Sequence, residues 1–378
     1  MEWTVPQDAP AAATDFQREV YCLLGLPVDA LTEQQAVRLI RGAAEQGRRC
    51  FFSTPNLNFL VGARSDAEFR NSVLRSDLSL ADGMPLVWIA RLLGAPVRER
   101  VAGSSLFEAL GRQAGRPLGV YFFGGPPGAA QQAHARLQGA AGGLVPAGFQ
   151  CPGFGSVEDM SAPATLQQIA ASRADVLVVA LGAKKGQAWI EHNLAALDVP
   201  VVSHLGAVVN FAAGTLQRAP TGWQKLGLEW LWRIKEEPSL WLRYLRDGRA
   251  FLRLMATRVL PAACLSRWHR ASPRALRDAA LAAELVDGVQ VLRLRGAWTG
   301  ANLAPLREGF DRIGRAGAAD VRLDLAQVTH LDAASLGLLL LLRGHQSKRG
   351  RRLEIVGCTP RLRRLFHRAG AEFLLDGA

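Results

Sequence analysis

The chain has 378 residues and a formal net charge of +12. That length exceeds the usual single domain and predicts two. With 49% hydrophobic and 21% charged residues it is composed like a folded globular protein, which excludes a disordered or fibrous chain. The charge is uneven: residues 1–222 hold 18 basic and 18 acidic side chains, whereas residues 223–277 hold 12 basic and 4 acidic. A neutral body with one basic strip points to a local anionic partner, a membrane surface or a nucleic acid. Cys22, Cys50, Cys151, Cys264 and Cys358 are scattered without metal-like or disulfide-framework spacing, as suits a reducing cytoplasm. No Lys or Arg occurs in the first seventeen residues and no apolar stretch follows them, so a secretory signal is not expected. The best apolar stretch, around Phe251 to Leu265, is cut by Arg253, Arg258 and Pro261, which argues against a spanning helix.

In chain order, residues 1–19 form an extension with no readable pattern. From Val20 to Leu205 short β-branched or aromatic runs alternate with helical stretches, and a layered α/β domain is expected over 20–222. The predicted strands are Arg49–Ser53, Leu78–Ala81, Leu118–Phe123, Asp175–Leu181 and Val199–His204. The apolar run over 175–181 suits a parallel strand covered on both faces. Ala129–Gln138 and Pro163–Ser172 read as helices.

Residues 223–260 form a Trp- and Arg-rich amphipathic appendage. Trp223, Trp230, Trp232, Trp241 and Trp268 are five of the nine tryptophans, and Pro238 divides the stretch into two helices. On the second, Trp241, Tyr244, Leu245, Phe251, Leu252 and Met255 share one face at helical spacing. Arg243, Arg246, Arg249 and Arg253 adjoin it. This is the pattern of a helix lying in a bilayer interface, with Trp230, Trp232, Trp241, Tyr244 and Phe251 as the expected membrane contacts. The competing reading is a core helix packed on its own domain. Residues 261–281 read as a linker, and a second, smaller α/β unit is expected over 282–378. Its predicted elements are strands Val289–Leu294, Val321–Leu325 and Leu353–Val356, with helices Ala301–Gly317, Leu336–Leu342 and Pro360–Ala369.

Four stretches of the first domain carry chemistry. Ser53-Thr-Pro-Asn-Leu-Asn58 lies at a strand's carboxyl end, where open α/β sheets bind ligands. Thr54 and Asn56 there suit hydroxyls or phosphate oxygens, or simple turn chemistry. Leu80-Ala-Asp-Gly-Met84 exposes a carboxylate at a tight bend, either a general base or a turn dipeptide. Arg98-Glu-Arg-Val-Ala-Gly-Ser104 places guanidinium near a glycine turn and a helix start, a suitable phosphate grip. Leu181-Gly-Ala-Lys-Lys-Gly-Gln187 fits a diphosphate or a solvated lysine loop. Gly124-Gly-Pro-Pro-Gly128 lacks both the Walker lysine and the dinucleotide fingerprint.

In order and spacing, Thr54-Pro-Asn56, Ala81-Asp-Gly83, Arg100-Val-Ala-Gly103, the Gly182–Gln187 loop, Arg218-Ala-Pro220, Gly227-Leu-Glu-Trp230, Glu237-Pro238 and Arg243-Tyr244 resemble the WecG/TagA/CpsF glycosyltransferases (family 26) over roughly residues 20–250. The resemblance implies transfer of an N-acetylmannosamine-type sugar from a UDP-sugar to a polyprenyl-diphosphate-linked sugar, with inversion, in cell-surface polysaccharide assembly. It implies Asp82 as general base with Thr54 beside it. Asn56, Arg100, Gly103, Gly182, Lys184, Lys185 and Gln187, with Arg218, Arg233 and Arg243 of the appendage, would bind donor and acceptor. It also implies a Rossmann-like domain, peripheral on the inner face of the cytoplasmic membrane. No Asp-x-Asp motif occurs, so no metal and no cofactor are expected, and leaving-group charge falls to Arg, Lys and backbone N–H groups. Ser105 stands where relatives commonly have Asp, and the Gly182 loop reads Ala-Lys-Lys-Gly where many read Pro-Lys-Gln-Glu.

Further on, Val321-Arg-Leu-Asp-Leu-Ala-Gln-Val-Thr-His-Leu-Asp332 followed by Ala-Ala-Ser-Leu-Gly337 looks like a STAS domain, the fold of anti-sigma factor antagonists. The position that is a phosphorylated Ser in signalling members is Ala334 here, with Ser335 displaced by one. A helix-start Ser after Asp is commonly a cap. A constitutive binding or dimerising module is therefore favoured over a phospho-switch at Ser335, with a protein partner or homo-oligomer in view.

The rival readings are a nucleotide-sugar-binding scaffold acting through the STAS domain, a nucleic-acid binder and a nicotinamide oxidoreductase. Intact Asp82 argues against the first. Aromatics on one apolar helical face rather than interleaved for base stacking argue against the second, and no nucleic-acid partner is expected. The missing glycine fingerprint weakens the third.

Overall fold

The computed structural model describes residues 15–139, 142–220, 222–223, 227, 229–268, 271–316 and 319–376. After a short 3-10 turn at Asp15–Gln17 comes the hairpin β1 (Val20–Leu23) and β2 (Leu26–Asp29). Leu24 and Gly25 both take positive φ, which two-residue hairpin loops require. A parallel sheet follows: β3 (Cys50–Ser53), β4 (Leu78–Ser79), β5 (Leu118–Gly124), β6 (Leu144–Gln150), β7 (Val176–Ala180) and β8 (Val201–His204). Its order is β4-β3-β8-β7-β5-β6. Every residue of β3, β7 and β8 is buried, as helices on both faces demand. Those helices are α1 (Glu33–Glu45), α2 (Leu57–Ala63), α3 (Ala67–Leu74), α4 (Met84–Leu92), α5 (Gly103–Arg112), α6 (Ala129–Gln138), α7 (Pro163–Ala171), α8 (Ala183–Asn193) and α9 (Gly206–Ala213).

The appendage contains α10 (Glu229–Glu236), a 3-10 turn at Pro238–Leu240 and α11 (Trp241–Leu254). A π-helical turn, Met255–Val259, then runs straight into α12 (Leu260–Trp268). The stretch expected as a linker over 261–281 is thus largely helical, with α13 (Pro273–Arg277) capped by Ser272. Pro273 lies at the first position of α13, where a missing N–H costs little, whereas Pro261 follows the π-helical turn inside a continuous helix.

The second unit has β9 (Ala280–Val286), β10 (Val289–Trp298), α14 (Ala304–Ala316), β11 (Asp320–Leu331), α15 (Ala333–Lys348), β12 (Leu353–Val356) and α16 (Pro360–Arg368). Its sheet runs β12-β11-β10-β9, with β9 antiparallel and the rest parallel.

The two units share one core. Phe16, Val20, Cys22 and Leu74 pack in the same apolar cluster as Phe310, Leu338, Leu341 and Phe366. Contact between backbones is close because glycine lines it. A Cβ on Gly337 would fall 2.2 Å from the Val20 carbonyl oxygen, and one on Gly344 would fall 2.1 Å from that of Leu74. At the hairpin tip, a Cβ on Gly25 would lie 2.3 Å from Gly370 O. Polar links border the apolar centre: Lys348 Nζ reaches Asp77 at 2.5 Å and Asp15 at 3.1 Å, and Arg75 donates to Ser347 Oγ at 3.0 Å. Phe16, in the segment expected as a bare extension, is fully buried.

Ser335 is fully buried as well. Its Oγ accepts from Asp332 N–H at 2.8 Å while Asp332 accepts from Ser335 N–H, a reciprocal capping box. Ser335 is thus a buried cap at the start of α15, its hydroxyl engaged by Asp332. The helix bearing it already has a partner, the chain's own first domain.

Gly344→Ala should destabilise the chain by about 1–3 kcal/mol, since the new methyl meets backbone that cannot step aside. Gly248→Ala, in α11 with no atom within 4 Å of its Cβ, should stabilise by about 0.5–1 kcal/mol. Denaturant melts of both variants check the pair. Equal behaviour would remove the close-approach argument.

Candidate active site

The site forms where chain segments leave β3 and β4. Leu80 N–H donates to Ser53 O at 2.9 Å, and Asp82 N–H to Pro55 O at 2.8 Å. On the other side Val101 N–H donates to Ala81 O at 2.8 Å. Three segments predicted separately, 53–56, 80–83 and 100–103, are therefore laid side by side beyond the sheet. Gly83 has φ of 119°, which lets the backbone bend and start α4 directly after the carboxylate. Gly103 N–H donates to the Asp82 carboxylate, and Thr54, buried, lies on the Gly103 side.

Burial pushes the Asp82 carboxyl up to about 6. Arg100, the Gly103 N–H and Arg233 act to lower it, and Glu229 to raise it further. A carboxyl group poised near neutrality is suited to general-base work.

The helices around this bend divide into those with a side-chain cap and those without. In α1, α2 and α3, Thr32, Asn56 and Asp66 supply side-chain caps. In α4, α5, α8 and α9 the positions before the helix are Gly83, Ala102, Gly182 and Leu205, with no side-chain cap. Uncapped N-termini present donors and positive dipole ends to an anion.

Three arginines of the site rest on carboxylates. Arg100 pairs with Glu229, Arg218 with Glu108 at 2.9 Å, and Arg233 with Glu237 at 2.8 Å. Arg218 also donates to Ser104 Oγ at 2.7 Å and Ser105 Oγ at 3.0 Å, so Ser105 serves to seat that arginine. Arg218 and Arg233 both lie over the Phe211 ring, at 5.8 and 5.5 Å, which carries the appendage onto α9. Arg243 faces the Tyr244 ring at 5.1 Å.

Other expected residues are placed differently. Asn56 spends its side-chain oxygen on Phe59 N–H as the α2 cap. Gln187 is fully buried and donates to Ser53 Oγ at 2.9 Å, so it braces β3 from beneath instead of lining an open pocket. Lys184 pairs with Asp66 at 3.0 Å, and Lys185 donates to Gly155 O at 2.8 Å. Gly182, at φ of 80°, turns the chain from β7 into α8.

One neighbour had no sequence signal. His204, buried at the end of β8, packs where a Cβ on Gly186 or Gly206 would fall, and its Nε2 finds no partner among the described residues. Burial holds its pKa down near 4, so it is neutral at pH 7. Asn58 Nδ2 reaches the buried Asp247 at 3.4 Å and ties α11 to α2.

A model of the "Glycosyl transferase WecG/TagA/CpsF family" matches residues 21–263. The chain belongs to this glycosyltransferase family. A model described as "Mlab, STAS domain" matches residues 271–376. The glycosyltransferase is 28% identical over 202 residues to N-acetylglucosaminyldiphosphoundecaprenol N-acetyl-beta-D-mannosaminyltransferase of Bacillus spizizenii, covering 53% of this chain and 77% of that protein. Among solved structures, the unphosphorylated anti-sigma factor antagonist SpoIIAA aligns with 20% identity and a TM-score of 0.22 over 23% of this chain and 82% of that one. Its phosphorylated Bacillus form aligns with 19% identity and a TM-score of 0.22, over 24% of this chain and 85% of that one.

In the appendage of the glycosyltransferase, the outward face is Trp241, Leu242, Leu245 and Leu252, each about half exposed or more. Tyr244 and Phe251, expected on that face, turn inward, against Trp230 at 6.2 Å and Trp88 at 6.4 Å. Trp232 is half-buried and donates to Gln217 O at 3.2 Å, whereas Trp230 is 44% exposed. Among the described residues no helix is long and apolar enough to cross a membrane.

Raising the Asp82 pKa from 3.8 to about 6 costs stability above that pH. Between pH 4 and 6 the folded chain holds the extra proton, so stability falls as pH rises through this window. Asp82→Asn should therefore melt like wild type near pH 4. At pH 7.5 it should be more stable, by up to about 3 kcal/mol. Chemical denaturation at the two pH values decides it, and no gain at pH 7.5 would mean the carboxylate is better solvated than its surroundings imply.

Proposed function

We infer that the glycosyltransferase moves an N-acetylhexosamine, of N-acetylmannosamine type, from a UDP-sugar to a polyprenyl-diphosphate-linked sugar, with inversion and without a metal ion. The observation that carries this reading is Asp82. Its carboxylate sits at a half-buried bend, held by Gly103 N–H, in the field of Arg100 and Arg233 and among uncapped helix N-termini. The relative's printed name supplies the sugar and the diphosphoundecaprenol-linked acceptor.

In the proposed step an acceptor hydroxyl attacks the anomeric carbon as its proton passes to the Asp82 carboxylate. The new glycosidic C–O bond forms on one face while the bond to the UDP β-phosphate oxygen breaks on the other. UDP departs with the electron pair. Arg100, Arg218 and Arg233 meet the growing diphosphate charge by exchanging their carboxylate partners for phosphate oxygens, with first-turn N–H groups of α5 and α8 assisting. The buried floor of Ser53, Gln187 and His204 keeps water from the reacting carbon.

Because the acceptor is a lipid, the outward face of α11 is proposed to lie in the membrane interface, on the cytoplasmic side. Trp241, Leu242, Leu245 and Leu252 are interleaved there with the exposed Arg246 and Arg249.

The test is UDP release from a panel of UDP-N-acetylhexosamines with short-chain polyprenyl-diphosphate-GlcNAc and EDTA. Release should need both substrates, survive chelation and fall at least about a hundredfold in Asp82→Asn. UDP binding without turnover for any donor would shift the reading to a nucleotide-sugar-binding scaffold. The acid limb of kcat/KM should lie near pH 6 and move lower in Glu229→Gln, which removes a like charge beside Asp82. A limb that stays put would take Asp82 out of the base role.

A further inference from the structure

A second cationic cavity lies away from Asp82, on the seam between the two units. It has a volume of about 400 Å³ and is lined by Arg64 at the end of α2, Arg253 of α11, Thr257 and Arg258 of the π-helical turn, and His367 of α16. The π-helical turn carries Thr257 and Arg258 into the wall, and such turns recur at functional sites. Arg258 is anchored across the seam, donating to Glu372 Oε1 at 3.1 Å and to the His367 carbonyl. Glu372 also lies 3.6 Å from His367 Nδ1. It is the only carboxylate seen to pair in this wall among the described residues. Arg64 and Arg253 are both exposed at the rim of the cavity, and among the described residues their side chains are not seen to make a hydrogen bond or ion pair. Burial, Arg258 and Arg253 push the Arg64 pKa down while Glu372 raises it, so three guanidinium groups and one carboxylate share one field.

The surroundings of the cavity are apolar. Leu252, 67% exposed, and Leu260, 46% exposed, bracket the Arg253–Arg258 stretch. Two exposed arginines beside the seated Arg258, around a recess next to exposed leucines, match a ligand with a phosphate group next to a hydrocarbon chain. The geometry points to a phosphate-binding site at the seam, built on Arg64, Arg253 and Arg258 of the first unit with His367 of the second in its wall, that takes the headgroup of an anionic lipid. It stands apart from sugar transfer, and the second unit's part in it is to seat Arg258 through Glu372 and the His367 carbonyl.

The experiment uses the full chain in flotation assays with vesicles of phosphatidylcholine alone and mixed with phosphatidylglycerol. Two double variants remove equal charge: Arg64→Gln with Arg253→Gln at the cavity, and Arg246→Gln with Arg249→Gln on the exposed face of α11. Loss of the cavity pair should weaken binding to the anionic vesicles about tenfold more than loss of the face pair, since diffuse attraction treats both alike. Thr257→Glu, at an exposed position in the cavity wall, should weaken it comparably to the cavity pair. Calorimetric titration with inorganic pyrophosphate forms the second arm. Pyrophosphate binding that depends on Arg64 and Arg253, without a vesicle difference, keeps the phosphate site and makes its source a soluble compound. Equal losses in both double variants with no pyrophosphate binding overturn the site.

Discussion

The structure depends on how closely α15 approaches the first domain. Gly337 and Gly344 lie two turns apart on one side of that helix and meet the carbonyl groups of Val20 and Leu74 where any side chain would collide. The contact gives Phe16, Val20, Cys22 and Leu74 a place in the second unit's core. It also fixes the β1–β2 hairpin. Asp29, at the hairpin's end, accepts from Ser79 N–H at 2.6 Å and pairs with Arg18 at 2.7 Å. Ser79 ends β4, three residues before Asp82. The docked helix, the hairpin, β4 and the carboxylate are thus contiguous, and the second unit helps to set the ground on which the site stands. Contiguity fixes geometry; a signal would need a second arrangement of the same contacts.

Much of this architecture was legible. The apolar runs at 118–123 and 175–181 are buried strands because parallel strands covered on both faces need no alternation. Leu353–Val356 is the strand its pattern indicates. What escaped notice has physical reasons. The hairpin at 20–29 and the strand at 280–286 have no alternation to read: the first is buried between the other unit's core and its own domain's, and the second is largely exposed. The prolines at 261 and 273 suggested a linker, yet Pro273 starts a helix, where proline is tolerated, and Pro261 follows a π-helical turn within a continuous one.

The site was legible as order and spacing, less so as roles. Asp82, Arg100 and Gly103 come together as their motifs imply. Gln187 and Asn56, polar residues in the same motifs, serve the framework, because a strand end under load needs bracing and a helix start needs a cap. Spacing along the chain cannot separate a side chain pointing into a crevice from one supporting its floor. His204 was invisible for the opposite reason, since a lone histidine at the end of an apolar strand gives no pattern at all.

Helix α11 shows how one pattern serves two surfaces. Read as a single apolar face, its aromatics and leucines indicated a membrane contact or a core helix. The structure divides them. Tyr244, Phe251 and Leu254 turn toward the body, and Asp247 is buried among them. Trp241, Leu242, Leu245 and Leu252 turn outward. A buried carboxylate is costly unless it is paired or protonated, and burial raises the Asp247 pKa despite Asn58, Arg243 and Arg246. That cost falls where α11 meets α2, beside the Thr54–Asn58 turn that borders the site. An apolar residue would pack there more cheaply, so the cost argues that the hydrogen bond to Asn58 serves to fix the helix against the turn. The leucines then reach outward from a helix whose depth and rotation are set by the active-site wall.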